Sequence, residues 1–317
     1  TDAAFSNIVD ASGWIAADNF NFAGLVDGQS YWFRTRARDN AGNVSVNSSD
    51  EQTTIDTTAP VASLDPLAPL FNAPTFDISW SGSDATSGLI NIDLYSSKDG
   101  GAFMLDANGP HTSSPISFDA AAVGGDGDYT FYARARDAAG NLEAAPATPD
   151  AQTSVDTAAP GAPSIAGMQS FTPGSQLTVV WTDESGSGAV EYMAEMSMAA
   201  DFSSIDASSG WTAGLNHTFT GLTDAQAYFF RVKARDGAQN ETGYSGNQNT
   251  TMDASAPSSN VEALPALVAQ TLVDIPWAGA DATSGVQSVE LWYSVNGGTF
   301  AQYAGGPFTS TPISFDA

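Results

Sequence analysis

The chain has 317 residues, no cysteine and a formal net charge of −27, because 36 acidic residues outnumber 9 lysines and arginines. A charge this negative disfavours binding to nucleic acid and to anionic membrane surfaces. The absence of cysteine excludes a disulfide framework and thiolate-bound zinc. Hydrophobic residues make up 42% of the chain, which argues against disorder, and no apolar run is long enough to predict a membrane span.

A long-period repeat organises the chain. Three segments return later in closely related or identical form, namely 53–60 at 250–257, 84–88 at 281–285 and 115–120 at 312–317. Each later segment begins 197 residues after the earlier one, so the two copies align without a gap.

Each period holds two related domains, which we call type A and type B. Acidic linkers that end in proline separate them at spacings of about a hundred residues, the size of one small β-sandwich; these linkers lie at 56–60, 156–160 and 253–257. The predicted domains are a type B C-terminal half at 1–58, a complete type A domain at 59–158, a complete type B domain at 159–255 and a type A N-terminal half at 256–317. Because both ends cut through a domain, we expect an excerpt from a longer array.

The first clear strand in chain order spans residues 31–39. Its odd positions, Tyr31, Phe33, Thr35 and Ala37, are predicted to face a core, and the arginines between them to face water. The same alternation returns at 129–135 and 228–234. Other short alternating segments end in Gly, Asn, Asp or Ser, which predicts an all-β fold of tandem antiparallel β-sandwiches in an elongated array.

The outward faces of this strand and of its two later repeats together carry eight of the nine basic residues of the chain. One interpretation is a site for an anionic ligand. The favoured interpretation is cross-strand pairing with carboxylates on neighbouring strands, because the net charge would repel an anion.

Three sets of residues connect the chain to a known family. They are a Gly-Leu pair ahead of the strand's tyrosine (Gly24, Leu25 and Tyr31; Gly221, Leu222 and Tyr228), a tryptophan in the second strand (Trp80, Trp181 and Trp277) and an Ala-Arg-Asp loop signature (37–43 and 135–141). On these residues nearly the whole chain resembles fibronectin type III domains and the immunoglobulin-like repeats of bacterial surface proteins. Type A departs from the pattern with a glycine-rich stretch at 124–128 before Tyr129, which leaves an immunoglobulin-like label open. The resemblance implies an extracellular or cell-surface protein and says little about function.

The sequence offers few of the residue types that catalysis requires. Its two histidines, His111 and His217, fall at unrelated places in the two domain types and are best explained as solvated surface residues. A Ser-His-Asp set needs a histidine beside both a serine and a carboxylate, and no such arrangement is indicated. We therefore predict that the chain is not an enzyme.

The acidic residues at the domain junctions suggest a cation site. In this sandwich class the loop after the second strand, the loop after the strand of residues 31–39 and the incoming linker meet at one end. The carboxylates and amides expected there are Asp56, Asp84, Asp137 and Asn141 at the first junction; Asp156, Asp183 or Glu184, Asp236 and Asn240 at the second; and Asp253 and Asp281 at the third. Oxygen ligands of this kind suit calcium, whereas the alternative is that these aspartates only cap turns.

Three functional hypotheses follow. The leading one is a structural stalk, spacer or fibre segment of a secreted or surface-anchored protein, with an adhesin as one candidate, stiffened by calcium. The second is a carbohydrate- or protein-binding accessory module of a secreted multidomain enzyme, with Trp14, Trp32, Trp211 and Tyr244 as platform candidates for a glycan or other cell-surface ligand. The third is self-association through open edge strands into a filament or surface layer.

Overall fold

The computed structural model describes residues 10–183 and 191–316. Apart from one 3-10 helix at Ala120–Val123, its regular elements are all strands, which confirms the predicted all-β class. The strands pair antiparallel except at two edges, where residues 70–71 pair parallel with 154–155 and residues 171–173 pair parallel with 251–253. The chain divides into two compact units, Thr1–Ala158 and Ala159–Ala317, and the division falls within the second proline-closed linker. Within the described residues no helix is long and apolar enough to span a bilayer.

The first segment forms a single antiparallel hairpin of β1 (Ser30–Phe33) and β2 (Glu51–Thr54). Tyr31 and Phe33 are half-buried, as an inward face requires. Thr35 and Ala37 are exposed and lie beyond the end of β1, so the prediction that they face a core is wrong. Their counterparts 197 residues later, Val232 and Ala234, are buried in the complete type B domain. The difference is that no second sheet covers this face among residues 10–58.

The type A domain comprises nine strands and the 3-10 helix. In chain order the strands are β3 (Val61–Leu64), β4 (Leu70–Phe71), β5 (Thr75–Ile78), β6 (Trp80–Ser83), β7 (Leu89–Lys98), β8 (Met104–Leu105), β9 (Ile116–Asp119), β10 (Gly127–Asp137) and β11 (Ala151–Val155). One sheet has the order β4-β11-β10-β7-β8, and the pairs β3-β6 and β5-β9 form the opposing layer. The core lies between the two layers and includes Ile78, Leu94 and Phe131.

The type B domain of the second unit is built on the same plan. Its strands are β12 (Ser164–Ile165), β13 (Phe171–Pro173), β14 (Gln176–Thr182), β15 (Glu191–Ser197), β16 (Ala207–Ser208), β17 (Asn216–Thr220), β18 (Ala227–Arg235) and β19 (Gln248–Asp253). A three-stranded sheet, β12-β14-β17, faces a five-stranded sheet, β13-β19-β18-β15-β16. Val179, Trp181 and Phe230 lie in the core between them.

The last segment repeats the start of the type A domain. Its strands are β20 (Ser258–Val261), β21 (Leu272–Ile275), β22 (Trp277–Ala280), β23 (Trp292–Tyr293), β24 (Ala301–Gln302) and β25 (Ile313–Asp316). They pair as β20-β22, β21-β25 and β23-β24, and the buried residues Ile275, Leu291 and Ile313 form a small core.

The predicted alternation holds in the long strands that line both complete cores. In β10 the inward residues Tyr129 to Ala135 are buried at every second position, and β18 repeats this from Tyr228 to Ala234. Of the three tryptophans predicted in the second strand, Trp181 is buried, whereas Trp80 and Trp277 are half-buried at the edge of their cores.

The tyrosine that opens each long strand shows how the two domain types differ. In type B the Tyr228 hydroxyl accepts a hydrogen bond from the backbone N–H of Thr223 at 3.0 Å, and Tyr31 accepts one from Val26 at 2.9 Å. This is the predicted tyrosine corner. In type A the Tyr129 hydroxyl instead donates to the carbonyl of Gly125, just after the 3-10 helix. The glycine-rich departure noted in the sequence therefore marks a different local fold.

Candidate functional site

Three acidic side chains meet where the first linker enters the type A domain. Asp56 belongs to the linker, Asp84 to the loop between β6 and β7, and Asp137 to the end of β10. One carboxylate oxygen of each lies within 4.8 Å of the others, with Asp137 buried and the other two half-buried. The structure thus brings together three of the four residues predicted at this junction, and Asn141 lies beside them.

The loop that holds Asp84 is organised by the carboxylate itself. Its Oδ1 accepts backbone N–H groups of Gly88 at 2.8 Å, Ser87 at 2.8 Å and Thr86 at 3.0 Å. The bond from Gly88, together with those from Thr86 and Ser87, holds the pKa of Asp84 below its ordinary value. Asp84 therefore stays ionised in the neutral range, and all three of these bonds end on one of its two oxygens.

The loop after β10 is organised by an Asp-Asn pair. Asn141 donates its backbone N–H to Asp137 Oδ1 and its Nδ2 to Asp137 Oδ2, both at 2.8 Å. The same pair of hydrogen bonds joins Asn240 to Asp236 and Asn43 to Asp39. This pair is therefore part of the loop fold in all three copies, and a cation at Asp137 would have to share oxygens that already accept hydrogen bonds.

The linker residues 56–58 are bound from both sides within the first unit. On the type A side, Ser87 N–H donates to Asp56 Oδ2 at 3.1 Å. Asn141 Nδ2 donates to the carbonyls of Asp56 and Thr58 at 3.1 and 3.2 Å. On the side of the preceding segment, Asp27 accepts the backbone N–H of Thr57 and the hydroxyl of Thr58, both at 2.6 Å. The hydroxyl bond from Thr58 is the largest cause that lowers the pKa of Asp27.

The Asp27 contact recurs at the other two linkers, and sequence reasoning missed it. Asp126 accepts the backbone N–H and the hydroxyl of Thr157 at 3.1 and 2.9 Å. Asp224 accepts the Ala254 N–H at 2.7 Å and the Ser255 hydroxyl at 2.5 Å. We call Asp27, Asp126 and Asp224 the clamp aspartates. Each lies shortly before the tyrosine of the long strand, 30 or 31 residues before the linker, and this fixed spacing is the signal that could have identified them.

The other predicted ligands are not brought into a comparable group. Among residues 10–183 and 191–316, Asp56, Asp84 and Asp137 are the one set of three or more potential metal ligands this close together. Asp156 belongs to the first unit, Asp183 and Asp236 belong to the second, and Glu184 lies outside the described residues.

At the third junction, Asp281 repeats the Asp84 loop. It accepts N–H groups of Thr283, Ser284 and Gly285 at 2.7–3.0 Å, and these bonds, Gly285 first, lower its pKa. Asp253 has one buried oxygen, Oδ1, with no hydrogen-bond partner among the described residues.

The basic face of the type B domain is occupied by internal partners. Arg231 pairs with Glu195 at 2.7 Å, Lys233 with Glu241 at 2.6 Å and Arg235 with Glu191 at 2.6 Å. The favoured interpretation of this face, pairing with carboxylates, therefore describes these three residues. No anionic ligand is needed to explain them.

The same cations stack on the predicted aromatic platform. Arg235 lies 4.3 Å and Lys233 5.3 Å from the Trp211 ring centroid. Arg231 lies 3.7 Å and Lys233 5.3 Å from that of Tyr244. In the first segment, Trp14 is stacked by Arg38 at 4.6 Å. These rings therefore present faces covered by basic groups, a poorer platform for a ligand than the sequence suggested, and Trp32 is half-buried in β1.

Neither histidine is the solvated surface residue expected from the sequence. His111 is half-buried, bridges to Ile92 and places its Nε2 2.8 Å from Asp106 Oδ2. His217 is half-buried in β17, with its ring 4.7 Å from that of Phe219. Both are held by strand pairing, which fixes side chains that loop positions would have left free.

Comparison with known proteins gives relatives among large enzymes. No family model matches the chain. It is 28% identical over 245 residues to Exoglucanase B of Cellulomonas fimi, which covers 74% of this chain and 21% of that enzyme. It is 33% identical over 162 residues to Chitinase A1 of Niallia circulans, covering 49% and 22%. Exoglucanase A of Cellulomonas fimi is 30% identical over 240 residues, covering 72% and 26%.

Two multidomain structures are also similar. They are domains A168–A170 of titin, with a TM-score of 0.38, 15% identity and coverage of 72% of this chain and 77% of that one, and the FN1–FN3 domains of chicken CNTN1, with a TM-score of 0.30, 11% identity and coverage of 81% and 87%.

The chain spans between a fifth and about a quarter of the length of the enzyme relatives it matches. Within that span it folds as repeated sandwiches with a tyrosine corner in type B, so it corresponds to a part of those proteins and not to a whole enzyme. The chain is a tandem array of fibronectin type III-like β-sandwich repeats.

Proposed function

We propose that this repeat array is a non-catalytic spacer in an extracellular multidomain protein, of the accessory kind found beside a catalytic domain. The names of the relatives, two exoglucanases and a chitinase, support an enzyme that acts on polysaccharide as the setting. A spacer needs stable domains and joints that limit rotation, and the hydrogen bonding of linker 56–58 from both sides is the observation that carries the proposal.

Five hydrogen bonds from the neighbouring segments restrict the conformational freedom of linker residues 56–58. Each contributes roughly 0.5–1.5 kcal/mol net, and bonds to a carboxylate lie at the upper end or above. Two come from Asp27 in the preceding segment, and three come from Ser87 and Asn141 in the type A domain. Because both neighbours hold the same three residues, bending at the joint requires at least one set of bonds to break.

The joint can be tested with spin labels, since the chain has no cysteine of its own. Labels at Ser49→Cys and Ser117→Cys, two exposed positions on either side of the linker, should give a narrow distance distribution by pulsed electron resonance. Asp27→Ala with Asn141→Ala should broaden it, whereas Asp224→Ala, which removes the clamp of another linker, should not. A distribution that is already broad in the parent protein would contradict the spacer proposal, as would a compact particle in small-angle scattering.

Calcium binding at Asp56, Asp84 and Asp137 is a second proposal for the same joint. Three carboxylate oxygens that converge with partial burial offer part of the six to eight oxygen ligands that a hard cation such as calcium takes. We expect millimolar calcium to raise the melting temperature of the parent protein but not that of Asp84→Asn, which keeps the oxygen that accepts three N–H groups and loses the charge. Equal melting with calcium and with chelator in both proteins would reduce these aspartates to loop-forming residues.

Adhesion to a cell surface and assembly into a fibre or surface layer stay predictions without support from the relatives. Light scattering across protein and calcium concentration would test assembly, and a strictly monomeric protein would count against it.

A further inference from the structure

An uncharged aromatic row crosses the outer face of the five-stranded sheet in the type A domain. Tyr132 of β10, Tyr95 of β7 and Leu105 of β8 are direct neighbours in register, so their side chains leave the sheet on the same side. The two tyrosine rings stack with centroids 4.7 Å apart and planes 13° from parallel. Phe103 adds a third ring, 4.7 Å from that of Tyr132. We call Tyr95, Phe103, Leu105 and Tyr132 the aromatic patch.

The aromatic patch is not part of the core. Residues 92, 94, 131 and 133 alternate with it along β7 and β10, and they are the ones that point into the sandwich. Phe103 is 38% exposed, Leu105 is 52% exposed, and both tyrosines are half-buried. A packing role inside the domain therefore does not account for a row of large apolar groups at this surface.

Two of the four positions of the patch are aromatic again in the second type A copy, whereas Gln302 stands in the place of Leu105. Trp292 stands 197 residues after Tyr95 and Phe300 stands 197 residues after Phe103, and both are exposed. In type B the corresponding pair of strands, β15 and β18, carries the Glu195–Arg231 ion pair in register instead. A stacked pair of tyrosines in register is thus a feature of type A, whereas the rings at this face in type B lie on basic side chains.

Charge and edge geometry decide which occupant fits. A net charge of −27 disfavours an anionic partner and a second copy of the chain alike. The edge strand beside the patch, β8, has only two residues, too few for a second copy to add by strand pairing. The names of the relatives, exoglucanases and a chitinase, favour a neutral polysaccharide as the occupant. Sugar rings suit the site because their C–H faces pack on aromatic rings while their hydroxyls can bond to the tyrosine O–H groups.

We propose that the aromatic patch of each type A domain binds a neutral polysaccharide. The proposal deepens the proposed function, because an accessory spacer would then also hold its enzyme on the substrate. Two such sites in one chain can bind the same polymer at once when the polymer is longer than the distance between them. The overall affinity for the polysaccharide would then exceed the weak affinity of either site alone.

Native gel electrophoresis of the full chain with hydroxyethyl cellulose in the gel tests the proposal, with chitin beads as an insoluble second probe. We expect retardation by the neutral polymer and none by alginate, which is anionic. Tyr95→Ser, Phe103→Ser, Trp292→Ser and Phe300→Ser together should weaken binding by about tenfold or more, since each ring contact contributes of the order of 1 kcal/mol. Phe103→Ser with Phe300→Ser is the milder variant, both positions being exposed enough to leave folding intact.

Phe171→Ser is the matched control, because Phe171 is 41% exposed on an edge strand of type B and is not a member of the patch. It should bind like the parent protein. Absence of binding by the parent to both neutral probes, or equal binding by parent and patch variants, would overturn the proposal. Self-association that the patch substitutions abolish would overturn it too, in favour of a second copy. The spin-label distances at Ser49 and Ser117 do not depend on the patch, so the spacer and the binding site can fail separately.

Discussion

The two complete domains share their interior and differ on their surface. β10 and β18 bury the same alternating series behind a leading tyrosine. On the outer face, type B carries ion pairs stacked on Trp211 and Tyr244, whereas type A carries an uncharged aromatic row. The inward residues of β10 and β18 specify the sandwich, because they make the apolar face that each sheet buries against the opposing sheet. The outer series is free to differ, and that is where the two domain types can acquire different tasks.

The largest effect should come from the shared interior and should be the same in both domains. Phe131→Ala and Phe230→Ala each remove a fully buried ring and are expected to cost about 3–5 kcal/mol in the free energy of unfolding of the domain concerned. Denaturant unfolding followed by tryptophan fluorescence should show one transition moving in each variant. A cost below about 1 kcal/mol in either would show that the two cores are not equivalent.

The next effect should separate the two surfaces. Glu195→Gln in type B leaves Arg231 without its charged partner, and both side chains are mostly buried, at 11% and 21% exposed. We expect a loss of about 1–2 kcal/mol from denaturant unfolding. Glu241→Gln is the control on the same face, where the carboxylate is 45% exposed, and it should cost about 0.5 kcal/mol or less. Equal losses would mean that burial does not decide how much each ion pair of this face contributes to stability.

A smaller effect should distinguish two copies of one hydrogen bond. Tyr228→Phe removes the tyrosine corner of the complete type B domain, where the tyrosine is 4% exposed, and should cost about 1 kcal/mol. Tyr31→Phe removes the same bond in the first segment, where the tyrosine is half-buried, and should cost about 0.5 kcal/mol or less. Thermal melts of the two variants would measure this, and a larger effect at Tyr31 would contradict the role of the opposing sheet.

The smallest effect concerns pH and the joint of the type A domain. Backbone N–H bonds, Gly88 first, hold the pKa of Asp84 below its ordinary value, so its ionised form is favoured in the folded state. Its contribution to stability is present above the unfolded pKa, near 4, and is lost as pH falls through the lower folded value. Asp84→Asn should therefore melt below the parent protein at pH 7, and the gap should close towards pH 3. A gap that stays constant with pH would exclude a charge effect.

The sequence predicted the fold well because the fold depends on patterns within one strand. Alternation in 129–135 and 228–234, the Gly-Leu-to-tyrosine spacing and the repeat offset of 197 are all local or periodic. The same reasoning failed for Thr35 and Ala37, since burial also requires an opposing sheet that the pattern does not supply.

The site was predictable where loop positions follow from the fold, and not where side-chain partners decide. Asp56, Asp84 and Asp137 could be placed at one end of the sandwich from topology, and the structure brings them together. A sequence does not show that Arg235 and Lys233 will stack on the ring of Trp211, and the platform hypothesis for that ring stays a prediction. The clamp aspartates were missed because each acts on a linker 30 or 31 residues away.

The clamp aspartates have a consequence for how such arrays can change. Each clamp is a loop side chain outside the strands and the core, so one substitution can remove it while the sandwiches on either side keep their packing. Rigidity of the joint and stability of the domains can therefore be adjusted separately. Substitutions at a few exposed residues could make an array stiff or flexible at its linkers. The distance that an attached domain can reach would then change while every domain core stays the same.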